Sequence, residues 1–353
     1  MTIWSIYCKD LLQGTLELLE AAGLKALVRP GMRVSLKPNL VMAKPPGLGA
    51  TTHCEIAEGL IMYLRGLGID DISVIESAWV GGDTEQAFDV CGYRALREKY
   101  GVALHDLKKD ATTPARAGKY TFDVCRKALD TDFLINLPVL KAHCQTKLTC
   151  CLKNLKGCIP DSEKRRFHAI GLHEPIAHLA RAIPVHFNVV DAVCGDLSME
   201  EGGNPAQRNM LMAGSDMLLL DTYGAELIGL RSNEVDYLRI ASGMGIGRAY
   251  EPGVTAVTRL REDAKPRVAP ARGGLAESLS AYVNEDRACS ACHAALLFAL
   301  RHVKPRGKIN VGQGFRGKPG TLGCGDCAAG CARYVPGCPP TAEAIRSFLE
   351  TCR

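Results

Sequence analysis

The chain has 353 residues, of which 47% are hydrophobic and 23% charged, with a formal net charge of +5. That length supports a sizeable core and, at ~100–200 residues per domain, two or three domains. The mild basicity comes without a long polybasic run and gives no ground for nucleic-acid binding, and no stretch approaches the ~18 uncharged apolar residues of a membrane helix.

The opening segment MTIWSIYCKD lacks the basic, apolar and small-residue succession of a secretory leader, so a cytoplasmic protein is expected. In Arg33–Val41 the run RVSLKPNLV has strand character and ends before the loop AKPPGLG. Thr52 stands three residues before Glu55, the spacing of a capping box, and Ile56, Leu60, Leu64 and Leu67 follow at helical intervals up to Gly68. DDISVIES reads as the next strand. Strand, helix and strand in this order predict an α/β fold, a mostly parallel sheet flanked by helices.

A second α/β half is expected over residues 132–249, after a first over 1–131. DFLINLPVL and FNVVDAV are short apolar runs bounded by turn residues, as buried strands are. SDMLLLDTYGAELIGL reads as a buried helix capped by Ser215 or Asp216. Residues 250–285, rich in proline and arginine, read as a linker, and 286–353 as a small cysteine-bearing unit.

Sixteen cysteines are too many for an ordinary cytoplasmic chain, where disulfides are rare. Those from Cys8 to Cys194 lie mostly among apolar neighbours and suit packing. The later ones cluster: Cys289-x2-Cys292, then Cys324-x2-Cys327, Cys331 and Cys338-Pro339. A C-x2-C turn lets two soft thiolates converge on metal. Two such pairs would satisfy a four-cysteine zinc site. Six cysteines exceed that need, glycines crowd LGCGDCAAGC and PGC, and the last cysteine precedes proline as in ferredoxin runs. An iron–sulfur cluster is therefore favoured, with zinc as the alternative. Just upstream, Gly312, Gly314 and Gly317 fit the G-x-G-x-x-G pattern of a dinucleotide loop. The following RGKPGTLGCG, with four glycines and a proline, cannot start the helix that such a loop requires, so these glycines are expected to shape a metal-site wall. Arg316 and Lys318 would set positive charge beside it.

A basic and polar band is the other feature above background. Lys37 and Asn39 share one side of a strand end, and Lys141 and His143 repeat that spacing after FLINLPV. Lys153, Asn154 and Lys156 follow, then Lys164, Arg165, Arg166 and His168. Seven Lys or Arg against two acids between Lys141 and His168 suit a small anionic substrate in the cleft beyond the strands' carboxyl ends. On this reading Lys37, Asn39, Lys153, Asn154 and Lys156 bind substrate, and Lys141, His143 and His168 carry the proton chemistry, imidazole titrating near neutrality. Asp191, Glu200 and Glu201 close a strand and enter a glycine-rich loop, where they would orient the basic groups or bind a cation. Aromatic residues, at 6%, do not interleave the band as they would for nucleic acid.

VSLKPNL, INLPVLKAH, CLKNLKG, EKRRFHAIGLH and VVDAVCGD, in this order, resemble the bacterial and archaeal domain-of-unknown-function 362 family, many members of which are iron–sulfur proteins. The C-terminal run CSACHAAL, NVGQGFRG, GCGDC and VPGCPPTAEAI resembles a branch ending in a cysteine-rich unit. That resemblance implies Cys289, Cys292, Cys327 and Cys338 as ligands of one [4Fe-4S] cluster, with Cys324 and Cys331 outside the family pattern. It implies a cluster-bearing α/β protein of anaerobic metabolism and no defined reaction. A reductase fed by a ferredoxin- or flavodoxin-like donor is the leading expectation. A non-enzymatic electron carrier or cluster- or metal-delivery protein is second, and a zinc-stabilised binding protein third.

Overall fold

Short apolar runs become the strands of a mixed sheet in a computed structural model that describes residues 2–266 and 278–352. Residues 267–277, the middle of the expected linker, lie outside the described residues. The chain forms two units. The first comprises Met1–Ala78, Gly82–Pro160 and His173–Arg272, the second Trp79–Gly81, Asp161–Leu172 and Gly273–Arg353.

The first unit holds β1 (Thr2–Tyr7), β2 (Val34–Pro38), β3 (Ile72–Glu76), β4 (Ala103–Asp106), the hairpin β5 (Thr112–Ala117) and β6 (Tyr120–Cys125), and β7 (Phe133–Leu137). It continues with the short pair β8 (Lys141–His143) and β9 (Lys147–Thr149), then β10 (Phe187–Ala192), β11 (Met210–Gly214) and β12 (Ala256–Arg259). Eight of these make one sheet in the order β12-β1-β11-β10-β7-β2-β3-β4. Pairing is parallel from β10 to β4 and between β1 and β12, and antiparallel where β11 joins β10 and β1. Every residue of β2, β7, β10 and β11 is buried, the pattern of strands covered on both faces.

Three details depart from the sequence reading. Strands from residues 1–131 and 132–249 interleave in a single sheet, because a strand buried on both faces needs a bonded neighbour at each edge. Residues 256–259, expected in a linker, add the edge strand beside β1. Thr52 does not cap the helix Cys54–Gly66, whose N-cap is His53. The Thr52 hydroxyl instead accepts from the Asn39 backbone N–H at 2.8 Å and donates to the Leu137 carbonyl at 2.7 Å, tying the ends of β2 and β7. The helix Met217–Leu227 is buried and capped by Asp216, whose carboxylate accepts from Leu219 N–H at 3.0 Å.

The second unit carries a smaller, wholly parallel sheet of β13 (Val283–Glu285), β14 (Ile309–Val311), β15 (Gly320–Cys324) and β16 (Cys331–Val335), in chain order. The helix Ser290–Leu300 links β13 to β14, as parallel crossovers usually require. The later connections are single 3₁₀ turns, Gln313–Phe315 and Asp326–Ala328, a shortening that glycine-rich sequence permits.

Candidate metal centre

The centre is assembled where the small sheet ends. Glu285 lies opposite Val311, Val311 opposite Cys324, and Cys324 opposite Val335, so all four strands finish in register. Parallel strands release the chain at the same edge, where open α/β sheets hold their ligands. The loops that follow bring Cys289, Gln313, Cys327 and Cys338 around one cavity, which Cys292, Cys324, Arg165 and Arg316 also line. The four cysteines expected as ligands thus share one cavity with Cys324. Cys331, at the start of β16, is not part of that lining, and its Sγ accepts from Asn310 Nδ2 at 3.6 Å.

Glycine is obligatory where these loops cross. Gly312 sits at φ 121°, a backbone region closed to most side chains, and a Cβ there would run into the Asp286 carbonyl. A Cβ on Gly314 would meet the Asp286 carboxylate. The G-x-G-x-x-G spacing therefore lets the loop after β14 lie against the loop after β13, and Gln313–Phe315 is one 3₁₀ turn in place of a nucleotide-binding helix.

Electrostatics and hydrogen bonds distinguish the thiols. Burial drives the Cys292 thiol far above its ordinary value, and Cys324, Cys289, Cys338 and Cys327 raise it further. Burial pushes Cys324 up to about 12. Without a cation these thiols keep their protons, and bound metal would supply the missing positive charge. Two sulfurs already face N–H donors: Arg316 Nε lies 3.4 Å from Cys327 Sγ, and Gln313 Nε2 3.8 Å from Cys289 Sγ. Gln313 is held by a 2.9 Å bond from the same nitrogen to the Arg165 carbonyl.

Among the described residues, the sets of three ligand atoms within 4.8 Å of one another are both in the first unit, His143–Cys144–Glu200 and Cys150–Cys151–Asp221.

The first unit takes the basic band inward. Lys37, expected to bind substrate, is fully buried, with Nζ 2.8 Å from Glu76 Oε2 and 2.7 Å from the Pro38 carbonyl. A buried ammonium requires such partners. Glu76 also accepts from Leu40 N–H at 2.8 Å and Ser77 N–H at 2.7 Å. Asn154 is likewise committed, donating to the Lys37 carbonyl at 3.1 Å and to Asn136 Oδ1 at 2.8 Å. Asn39 is buried at the β2 end, and Lys156 is half-buried in the turn Leu155–Cys158. Of the expected catalytic residues, His143 and Lys141 fall in the first unit, and His168 falls in the second, with its Nε2 3.5 Å from Ser290 Oγ.

His143 Nδ1 accepts two backbone N–H groups, from Gln145 at 3.1 Å and Thr146 at 3.2 Å. The proton is thereby assigned to Nε2, which faces Glu200 Oε1 at 3.3 Å. The same oxygen accepts from Cys144 Sγ at 3.1 Å. His143–Cys144–Glu200 is thus satisfied as a hydrogen-bonded set, since a metal on Nε2 would force the proton onto Nδ1 against two donors. Around it, burial pushes Lys141 down to about 7 and Lys153 to about 8, while burial and Glu200 push Glu201 up to about 7. Glu200, Glu201 and Cys144 carry this second group with the lysines. The signal for the two acids was their position in the loop after a buried strand, whereas Cys144 and Glu76 had no distinguishing motif. His53 also escaped the sequence reading: its Nδ1 lies 2.8 Å from Asp191 Oδ2.

The vicinal thiols Cys150 and Cys151 are buried with sulfurs 3.9 Å apart, and Asp221 spends its oxygens on Cys151 N–H at 2.6 Å and Leu152 N–H at 3.0 Å. Among the described residues, no helix is long and apolar enough to cross a membrane.

Residues 34–226 match the family described as Domain of unknown function (DUF362). The chain is 26% identical over 241 residues to a thylakoid-associated protein of a Synechocystis species, covering 64% of this chain and 71% of that protein. Among solved structures, a Thermotoga maritima protein aligns at a TM-score of 0.36 with 15% identity, covering 66% of this chain. The lactate racemase apoprotein of Thermoanaerobacterium thermosaccharolyticum aligns at 0.32 with 11% identity, covering 69%. The chain spans 58% and 56% of those two structures.

Proposed function

The chain belongs to the DUF362 family, and from that premise we propose that it is an iron–sulfur protein whose C-terminal unit carries one [4Fe-4S] cluster in redox service. The observation that carries this reading is the gathering of Cys289, Cys292, Cys327 and Cys338 around one cavity at the carboxyl end of a parallel sheet. Two further features support it. N–H groups of Arg316 and Gln313 face two of the sulfurs, and glycine backbone closes the wall. Both hydrogen bonding and local positive charge stabilise an anionic cluster. Bound there, the cluster would supply single-electron transfer.

The reaction we favour is reduction of a small anionic substrate, with electrons from a ferredoxin- or flavodoxin-like donor. Lys153, half-buried, would attract the anion while protonated, and His143 would donate from Nε2, with Lys141 buried behind them and its Nζ 2.9 Å from the Glu200 carbonyl. Lys37, Asn39 and Asn154 hold the frame behind these groups rather than the substrate. Anaerobic purification with iron, sulfide and zinc counted per chain, and EPR after dithionite reduction, tests the proposal. About four iron and four sulfide with a reduced-cluster signal are expected. One zinc without sulfide would overturn it and leave a zinc-stabilised binding protein.

A further inference from the structure

The cavity holds five thiols, one more than a four-iron cluster uses. Cys324 is the additional one, and it is the most enclosed: 1% of its surface is exposed, whereas Cys338 is exposed to solvent. Both arrive from neighbouring strands. Cys324 ends β15 opposite Val335, the end of β16, and Cys338 follows in the next loop. The two loops are bonded to each other. Gly325 N–H donates to the Val335 carbonyl at 2.9 Å, Asp326 N–H to the Gly337 carbonyl at 3.1 Å, and Gly337 N–H to Asp326 Oδ1 at 2.7 Å. An added Cβ at Gly325 would stand 3.3 Å from the Gly337 carbonyl and 3.7 Å from Cys292 Sγ, so little room separates these walls.

The other three thiols have fixed settings. Cys289 and Cys292 bracket the start of the helix Ser290–Leu300, and Cys327 Sγ faces Arg316. Resting on the cluster reading above, we infer that the fourth ligand position is shared: Cys338 and Cys324, which line the same cavity, are alternative ligands there. Cys324 gives up its proton as it binds iron, and Cys338 takes one as it leaves. No electron is transferred, and the charge at the centre is unchanged. Cys338, exposed to solvent, could then be freed without loss of the cluster.

The experiment is anaerobic reconstitution of the full chain with ferrous iron and sulfide, followed by metal analysis and EPR. The variants are Cys338→Ala, Cys324→Val, the double variant, and Cys292→Ala. Each single variant at the shared position should keep about four iron per chain, with Cys338→Ala giving an altered reduced-state EPR spectrum. The double variant should fall at least tenfold in iron, as should Cys292→Ala. Circular dichroism of each variant separates loss of ligand from loss of fold, and Cys338→Ala, altered only at the surface, carries the decision. If wild type holds four iron and Cys338→Ala holds none, the inference is wrong while the cluster reading stands. It is equally wrong if the double variant keeps its iron. A wild-type chain without cluster would instead overturn the proposed function.

Discussion

Lys37 Nζ meets Glu76 Oε2 at 2.8 Å between adjacent parallel strands, both side chains shut off from solvent. The pair locks the carboxyl ends of β2 and β3, since Glu76 also gathers the N–H groups of Leu40 and Ser77. Glu76→Gln leaves a buried ammonium without its counter-charge and should destabilise the first unit by about 3–5 kcal/mol in urea unfolding. Lys37→Met should do likewise. A Lys37 variant of unaltered stability would return that residue to the substrate-binding set.

The His53–Asp191 contact makes stability depend on pH. Burial pulls the His53 pKa down, but Asp191, by charge and by hydrogen bond, outweighs it and pushes it up to about 11. Its folded-state pKa therefore exceeds the unfolded value of about 6.5. The sign follows: its stabilisation is complete below about pH 6.5 and is lost as pH rises toward about 11. Asp191, itself lowered by His53, loses its share in acid below the ordinary carboxylate range. Wild type should lose more stability than His53→Gln between pH 6 and pH 10. Parallel curves for the two proteins would exclude the linkage.

Cys331 offers the negative control among the clustered cysteines, because its sulfur accepts from Asn310 Nδ2 and it does not line the cavity. Cys331→Ala should retain the iron and sulfide content of wild type within about 10–20%. A large loss of metal would place Cys331 among the ligands.

Gly312→Ala tests the wall. The substitution imposes a side chain at φ 121° and directs it at the Asp286 carbonyl. Backbone strain alone costs of the order of 1–3 kcal/mol. Metal content and the melting temperature of the second unit should both drop. Unchanged values would mean that the loop has another conformation available.

Arg316 Nε–H and its charge, 3.4 Å from Cys327 Sγ, favour the more negative, reduced form of a cluster held there. Arg316→Gln should therefore shift the reduction potential downward in a potentiometric titration read by EPR. An unmoved potential would show that the guanidinium leaves the sulfur in solution.

The sequence by itself determined the local alphabet of this protein. The apolar runs FLINL and FNVVDA, bounded by turn residues, form strands here, Asp216 caps its helix through a bond three residues away, and the two C-x2-C pairs each place two thiols within a single turn. Each depends on neighbours a few residues apart. The family, too, was legible in the order of short motifs.

Tertiary structure decided what lies across the chain. Lys37 and Glu76 are 39 residues apart and His53 and Asp191 are 138 apart, so neither partner marks the other in sequence. A lysine beside an apolar strand reads alike whether it binds a substrate or closes a buried ion pair, because burial forces a partner on it in both cases. Thr52 showed the spacing of a cap and was drawn instead into bonding β2 to β7. The thiols divide in the same way: spacing marked the cluster of six, but only the register of four parallel strands brought Cys324 into the cavity and carried Cys331 away from it.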